Sequence, residues 1–126
     1  KSCGLEQDVI FTGYISEEEK AELLRGALVF LFPSLYEGFG MPPLEAMACG
    51  TPVIVSNAAS LPEVVGDAGL TVDPYSTEEL KNAMKEITEN KKLREELGYK
   101  GYSRAQIFKW ESIVKSLNII YDELAK

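Results

Sequence analysis

Histidine is absent from this chain, and cysteine occurs only twice. Without histidine, the chain by itself can build neither a Ser-His-Asp triad nor a histidine-ligated metal site. Cys3 and Cys49 stand apart rather than in a Cys-x-x-Cys pair, which is typical of a reduced, cytoplasmic protein. No apolar run approaches the roughly 20 residues needed to span a bilayer, so the sequence predicts no transmembrane segment.

Positive charge is also scarce. Thirteen Lys and Arg residues face 20 Asp and Glu residues, which gives a formal net charge of −7. Nucleic-acid-binding proteins usually carry a basic face, so this balance argues against a nucleic-acid partner. Lys and Arg side chains could bind an anion. Here, however, the candidates fall on predicted helices, and none is adjacent in sequence to the glycine loop within the segment 36–54. We therefore expect low affinity for any anionic ligand.

The order of apolar segments predicts the fold class. A length of 126 residues with 45% hydrophobic content suits one domain with a real core. Short β-branched or apolar runs alternate with helical patterns, which predicts an α/β domain with a parallel sheet between two helical layers. The predicted strands, about four in number, are residues 9–12, 28–32, 52–55 and 68–72.

Helix signals are clear at several points. Ser16 precedes three glutamates, which predicts an N-cap with a favourable first turn rather than an acidic catalytic cluster. Ser60 is predicted to cap a short helix, with Glu63 at capping-box spacing. Residues 91–107 are predicted to form a helix that is interrupted or kinked near Gly98 and Gly101. A last helix from about Glu111 has one broad apolar face, and exposure of that face would favour self-association.

The most informative segment is a glycine loop that leads from a predicted strand into a predicted helix. Gly38 and Gly40 lack Cβ atoms, so a ligand can approach the backbone closely. Pro42 and Pro43 suit the first turn of a helix, which would end at Gly50. A helix N-terminus favours a phosphate group. Because the prolines have no N–H, an anion would depend on the amides of the residues just before them: Gly38, Phe39, Gly40 and Met41.

Two carboxylates flank this loop. Glu37 precedes the glycines, and Glu45 lies about one turn inside the helix. An ionised carboxylate only accepts hydrogen bonds, so both side chains suit hydroxyl donors such as those of sugars and ribose. The alternative is structural, with Glu37 capping a loop and Glu45 a solvated helix residue.

The segment resembles the Glu-x7-Glu signature of the GT-B family of retaining, nucleotide-sugar-dependent glycosyltransferases, the group 1 or family 4 type. Glu37 and Glu45 stand at that spacing. Further landmarks of the family are similar and appear in the usual order, at residues 9–14, 58–69, 72–74 and 108–111. The resemblance therefore extends over most of the chain.

The resemblance implies a role for each site residue. Glu37 would lie at the transferred sugar as the catalytic residue, and Glu45 would bind the ribose hydroxyls. The donor-binding amides would be those of Gly38 to Met41, and Tyr14 would lie near the nucleobase. The substrate would be a GDP- or UDP-linked sugar, with no metal or other cofactor. The region 58–67 is most similar to mannosyltransferases, although relatives that use other donors share the same sequence pattern.

The resemblance also implies that residues 1–126 are part of a C-terminal donor-binding domain. By the same resemblance, the acceptor-binding domain, the first strands of this domain and a basic loop would lie outside residues 1–126, so the chain alone is expected to be inactive. The full enzyme would transfer a hexose with retention, in the cytoplasm or at the membrane periphery. Two alternatives are a non-catalytic nucleotide- or carbohydrate-binding module and a nucleotide-sugar epimerase-like protein. An epimerase would not require the segment 37–45.

Overall fold

A computed structural model describes residues 3–126. Over this range the chain forms three β-strands and six α-helices, which alternate from the first helix to the fourth, and the last three helices follow one another. The strands are β1 (Phe30–Phe32), β2 (Val53–Ser56) and β3 (Leu70–Val72). The helices are α1 (Glu17–Gly26), α2 (Met41–Ala48), α3 (Leu61–Val65), α4 (Thr77–Glu89), α5 (Lys91–Ala105) and α6 (Trp110–Leu124). Short 3-10 helices follow α3 at Gly66–Ala68 and α5 at Gln106–Phe108.

The three strands form one parallel sheet in the order β1-β2-β3. Phe30 lies opposite Val53, and Ile54 lies opposite Leu70. All four residues of β2 are buried, as expected for the central strand of a parallel sheet that is covered on both faces. The predicted α/β fold class is thus confirmed.

The two faces of β2 point into two separate apolar clusters. Val53 and Val55 pack with residues of α2, α3 and the last turn of α5. Ile54 points to the opposite face, where it packs with Ile87 of α4 and Leu97 of α5. This alternation follows from the two-residue period of a strand. The sheet is therefore the middle layer of a three-layer sandwich, and its carboxyl edge meets the glycine loop.

The predicted first strand, residues 9–12, is wrong. The structure has no strand there, so the sheet has three strands instead of four. Ile10 and Phe11 are 84% and 93% exposed. Their residue types favour a strand only where a neighbouring strand supplies hydrogen bonds and a covering layer. Over residues 3–126 no strand pairs with this segment.

An interruption or kink was predicted near Gly98 and Gly101; the interruption is wrong, because α5 is continuous through both glycines. A Cβ atom at Gly98 would lie 2.6 Å from the carbonyl oxygen of Gly50. At Gly101 a Cβ atom would lie 3.3 Å from Cγ of Met47. The glycines therefore allow α5 to pack directly on α2 and on the turn that leads into β2.

Helix α6 carries the predicted apolar face, and the face is uncovered. None of the residues of this helix, 110–124, is buried. Its exposed apolar side chains include Ile113, Val114, Leu117 and Ile120. Within the described part of the chain, no helix is both long enough and apolar enough to cross a membrane.

We expect Gly98→Ala to destabilise the domain, although alanine favours helices over glycine by about 1 kcal/mol. The added methyl group would meet a backbone oxygen at 2.6 Å, and overpacking of this kind costs about 1–3 kcal/mol. Denaturant unfolding measures the free energy of unfolding. Gly26→Ala at the end of α1 is the matched control, because a Cβ atom there has no neighbour within 4 Å. Equal stability of the two variants would contradict the packing argument.

Candidate functional site

The glycine loop joins the carboxyl end of β1 to the start of α2. Gly40 is the N-cap residue of α2 and has φ 103° and ψ 47°, a left-handed conformation that favours glycine. A Cβ atom at Gly40 would also lie 2.8 Å from Cδ2 of Leu61. Glycine is thus required at this position both by the backbone conformation and by the close approach of α3. Helix α2 begins at Met41 and ends before Gly50, close to the predicted bounds.

Four consecutive backbone amides at this point have no protein acceptor. Across residues 3–126, none of the N–H groups of Gly38, Phe39, Gly40 and Met41 makes a hydrogen bond. The next two residues, Pro42 and Pro43, have no N–H to donate. The positive end of the α2 dipole lies behind these four donors. Within the described residues, the hydrogen-bonding capacity of these four amides is therefore unused.

Serine side chains fix the path of the loop. The hydroxyl of Ser60, just before α3, donates to the carbonyl of Phe39 at 2.9 Å. Ser60 is the N-cap residue of α3, as predicted, but its side chain makes no capping bond, and its backbone is helical (φ −81°, ψ −9°) rather than extended as is usual for an N-cap residue. The buried Ser56, at the end of β2, donates to the carbonyl of Ser34. The ends of β2 and α3 therefore hold the loop from one side.

Glu37 is half-buried at the start of the loop. Its Oε1 accepts a hydrogen bond from the hydroxyl of Ser34 at 3.3 Å, and the same hydroxyl also bonds to the carbonyl of Tyr36 at 3.0 Å. The second carboxylate oxygen of Glu37 accepts no hydrogen bond from residues 3–126. The side chain is thus partly oriented by the protein and retains acceptor capacity for a ligand.

Glu45 forms an ion pair that the sequence did not indicate. Its Oε2 lies 2.9 Å from Nζ of Lys20 on α1. The same Nζ lies 2.7 Å from a carboxylate oxygen of Glu17. The hydrogen bond to Glu17 is the main cause that raises the pKa of Lys20 above its ordinary value, and the hydrogen bond to Glu45 is the second cause. A positively charged lysine therefore lies beside the second carboxylate of the site.

The spacing of Glu17 and Lys20 indicates a pair on one helix, but nothing in the sequence indicates the contact between α1 and α2. That contact depends on the packing of the two helices. Leu24 of α1 is buried in the core, and its carbonyl accepts a hydrogen bond from the hydroxyl of Thr51. This buried anchor holds α1 beside α2, which brings Lys20 to Glu45.

The remaining predicted residues are exposed. Phe39 and Met41 are 44% and 51% exposed. Tyr14 is fully exposed, two residues before the N-cap of α1. Within the described residues it has no hydrogen bond or ring contact. The structure thus places Glu37 and the four amides at the start of α2 and Glu45 as the fifth residue of that helix. The binding roles of these residues, and the placement of Tyr14 near a nucleobase, stay predictions.

The 3-10 helix that follows α5 also contacts the loop. The ring of Phe108 packs edge-on against Phe39, with centroids 5.7 Å apart. The guanidinium of Arg104 lies 5.8 Å from the centroid of Phe108 and donates to the carbonyls of Glu63 and Val64 in α3. These contacts connect the loop, α3 and α5. Arg104 stood out in no sequence motif, because its partners are backbone carbonyls 40 and 41 residues away.

A parallel sheet whose carboxyl edge carries a glycine loop and a helix N-terminus defines a Rossmann-like ligand-binding domain. Residues 1–104 match the family described as glycosyl transferases group 1. The chain therefore belongs to this family of glycosyltransferases. The family resemblance predicted from the two glutamates and the accompanying landmarks is confirmed.

Known proteins resemble the chain in both sequence and structure. It is 43% identical over 102 residues to the O-antigen chain mannosyltransferase B of Escherichia coli, a match that covers 81% of this chain and 27% of that protein. The fold is similar to that of the sucrose-phosphate synthase of Thermosynechococcus elongatus, with a TM-score of 0.86 and 38% identity over 96% of this chain and 31% of that one.

A C-terminal domain of a group 1 glycosyl transferase from Francisella tularensis also matches, with a TM-score of 0.74 and 31% identity. That match covers 83% of this chain and 55% of the solved chain. The chain thus spans less than a third of the curated mannosyltransferase and about half of an isolated C-terminal domain.

We expect Ser60→Ala to loosen the glycine loop. Loss of the hydrogen bond to the carbonyl of Phe39 would lower the free energy of unfolding by about 1 kcal/mol. It would also lower the NMR order parameters of the loop amides, residues 38–41. Ser116→Ala is the control, because its hydroxyl bonds only to the carbonyl of Ser112 along the exposed α6. Unchanged order parameters in Ser60→Ala would contradict an anchoring role.

Proposed function

We propose that this chain is part of the C-terminal, donor-binding domain of a retaining glycosyltransferase that uses a nucleoside diphosphate sugar. The observation that carries the proposal is the row of four unpartnered amides between two half-buried glutamates, in a chain of the group 1 family. Amides at a helix N-terminus suit a diphosphate, and carboxylates suit hydroxyls. These are the two chemical groups that a nucleotide sugar offers.

Each residue has a proposed task. The amides of the loop bind the diphosphate and stabilise the negative charge that grows on it as the glycosidic bond breaks. Glu37 accepts hydrogen bonds from the transferred sugar through the oxygen that Ser34 leaves open, close to the reacting carbon. Glu45 accepts from the ribose hydroxyls. The Glu-x7-Glu signature is thus a pair of acceptors on either side of a group of donors. The proposed reaction uses no metal ion.

We propose a hexose as the transferred sugar, with mannose the favoured one. Mannose is supported by the likeness to the mannosyltransferase of Escherichia coli. The structural likeness to a sucrose-phosphate synthase leaves other donors open. A GDP- or UDP-linked donor fits the loop equally well, because the loop amides contact the part that both share.

The complete enzyme needs more than this chain. We propose that an acceptor-binding domain lies elsewhere in the protein and that this chain alone binds the donor without turnover. The uncovered apolar face of α6 and the outer edge of β1 suit contacts with such a domain, or with a second copy of the chain when it is isolated. The proposed location of the enzyme is the cytoplasm or the membrane periphery.

Nucleotide titration tests the donor site. In amide NMR spectra of the chain, we expect GDP, UDP or ADP to shift selectively the signals of the non-proline residues in the range 38–45. The affinity should be weak, with a dissociation constant on the order of millimolar, because neutral backbone amides bind a diphosphate less strongly than charge-assisted donors do. Glu45→Gln should weaken binding at least about tenfold, since a charged acceptor for the ribose is lost.

Glu96→Gln provides the matched control for this titration. Glu96 also lies on a helix and pairs with a lysine, Lys100, at 2.9 Å. Its substitution should leave nucleotide binding unchanged. Equal effects of Glu45→Gln and Glu96→Gln, or shifts that avoid residues 38–45, would overturn the proposed site.

A further inference from the structure

We propose that Lys20 is a positioning residue for the donor ribose: it holds the carboxylate of Glu45 so that one oxygen faces the nucleotide. The inference rests on the proposed function, because it assigns a support to one residue of that site. Lys20 belongs to neither the glycine loop nor the Glu-x7-Glu signature. It reaches the site only through the packing of α1 beside α2.

The contact geometry divides the two oxygens of Glu45 between two tasks. Oε2 lies 2.9 Å from Nζ of Lys20. Oε1 accepts no hydrogen bond from residues 3–126. An ionised carboxylate has about four acceptor positions, so occupation of one oxygen leaves the other able to accept from a hydroxyl. The ion pair therefore restricts the rotation of the Glu45 side chain and leaves Oε1 able to accept a hydrogen bond from a ligand.

Lys20 is itself held in place. Its Nζ bridges Glu17 and Glu45, and its side chain is 34% exposed, compared with 87% for Glu17. Helix α1 begins with a complete capping box, in which Ser16 and Glu19 exchange hydrogen bonds. Buried Leu24 fixes the other end of the helix. A carboxylate held by such a lysine needs little reorganisation when the ligand binds.

The positive charge has a second effect. Glu37 and Glu45 place two negative charges around a site proposed for a diphosphate, and the whole chain has a net charge of −7. Lys20 offsets the charge of Glu45 and lowers the repulsion between this carboxylate and the anion. A direct bond from Lys20 to a phosphate is a different role, and the experiment must separate the two.

The test compares two probes on the same variants. The probes are the nucleotide that binds best among GDP, UDP and ADP, and its 2′,3′-dideoxy form, which lacks the ribose hydroxyls. The variants are Lys20→Met, Lys20→Arg and Lys100→Met. Lys100 is a close match to Lys20, because it also bridges two carboxylates, on Glu96 and Asp67, and its side chain is 40% exposed.

We expect Lys20→Met to weaken binding of the ribonucleotide about threefold, as for a partly exposed ion pair. Binding of the dideoxy form should weaken by a clearly smaller factor, because Glu45 then has no hydroxyl to accept from and only its repulsion of the diphosphate changes. Lys20→Arg should restore most of the affinity, and Lys100→Met should have no effect on either probe.

Other results overturn the inference in distinguishable ways. An equal loss for both probes would mean that Lys20 contacts the phosphates or affects the fold generally. No loss for either would mean that Glu45 needs no support. Absence of binding by the unaltered chain to all three nucleotides would instead overturn the proposed function itself, and the Lys20 role with it.

Discussion

The glycine loop depends above all on the burial of β2 between two helical layers. Because both faces of this strand are covered, its carboxyl end is fixed, and Ser56 there bonds to the chain that leaves β1. A few residues later, Ser60 bonds to the loop at Phe39. The loop is thus held by the strand and helix next to it in space. Its own residues can then leave their amides available for a ligand.

The sequence was sufficient to predict the features that local chemistry determines. The loop, the start of α2 at its prolines and the capping of α1 by Ser16 all follow from the conformational preferences of a few adjacent residues. The family followed from the spacing of Glu37 and Glu45 in that context. Strands β1 to β3 were predicted because each has a run of apolar residues that a parallel sheet can bury.

The features that the sequence could not predict depend on partners far along the chain. The residue types at 9–12 predicted a strand. Strand propensity alone does not produce a strand, because the hydrogen bonds must come from a neighbouring strand. The glycines of α5 predicted a break or a kink in the helix. In the structure they allow the helix to pack closely on Gly50 and Met47. The contacts of Lys20 with Glu45, and of Arg104 with α3, join helices whose mutual arrangement no short segment encodes.

The two glycines of α5 differ in whether a substitution at a contacting residue could make room for a side chain in their place. A side chain at position 98 would collide with a backbone oxygen, which no replacement at position 50 can remove. A side chain at position 101 would press on the side chain of Met47, which a smaller residue there would relieve. Positions 47 and 101 can therefore change together in diverging descendants, whereas position 98 has no partner whose change would release it.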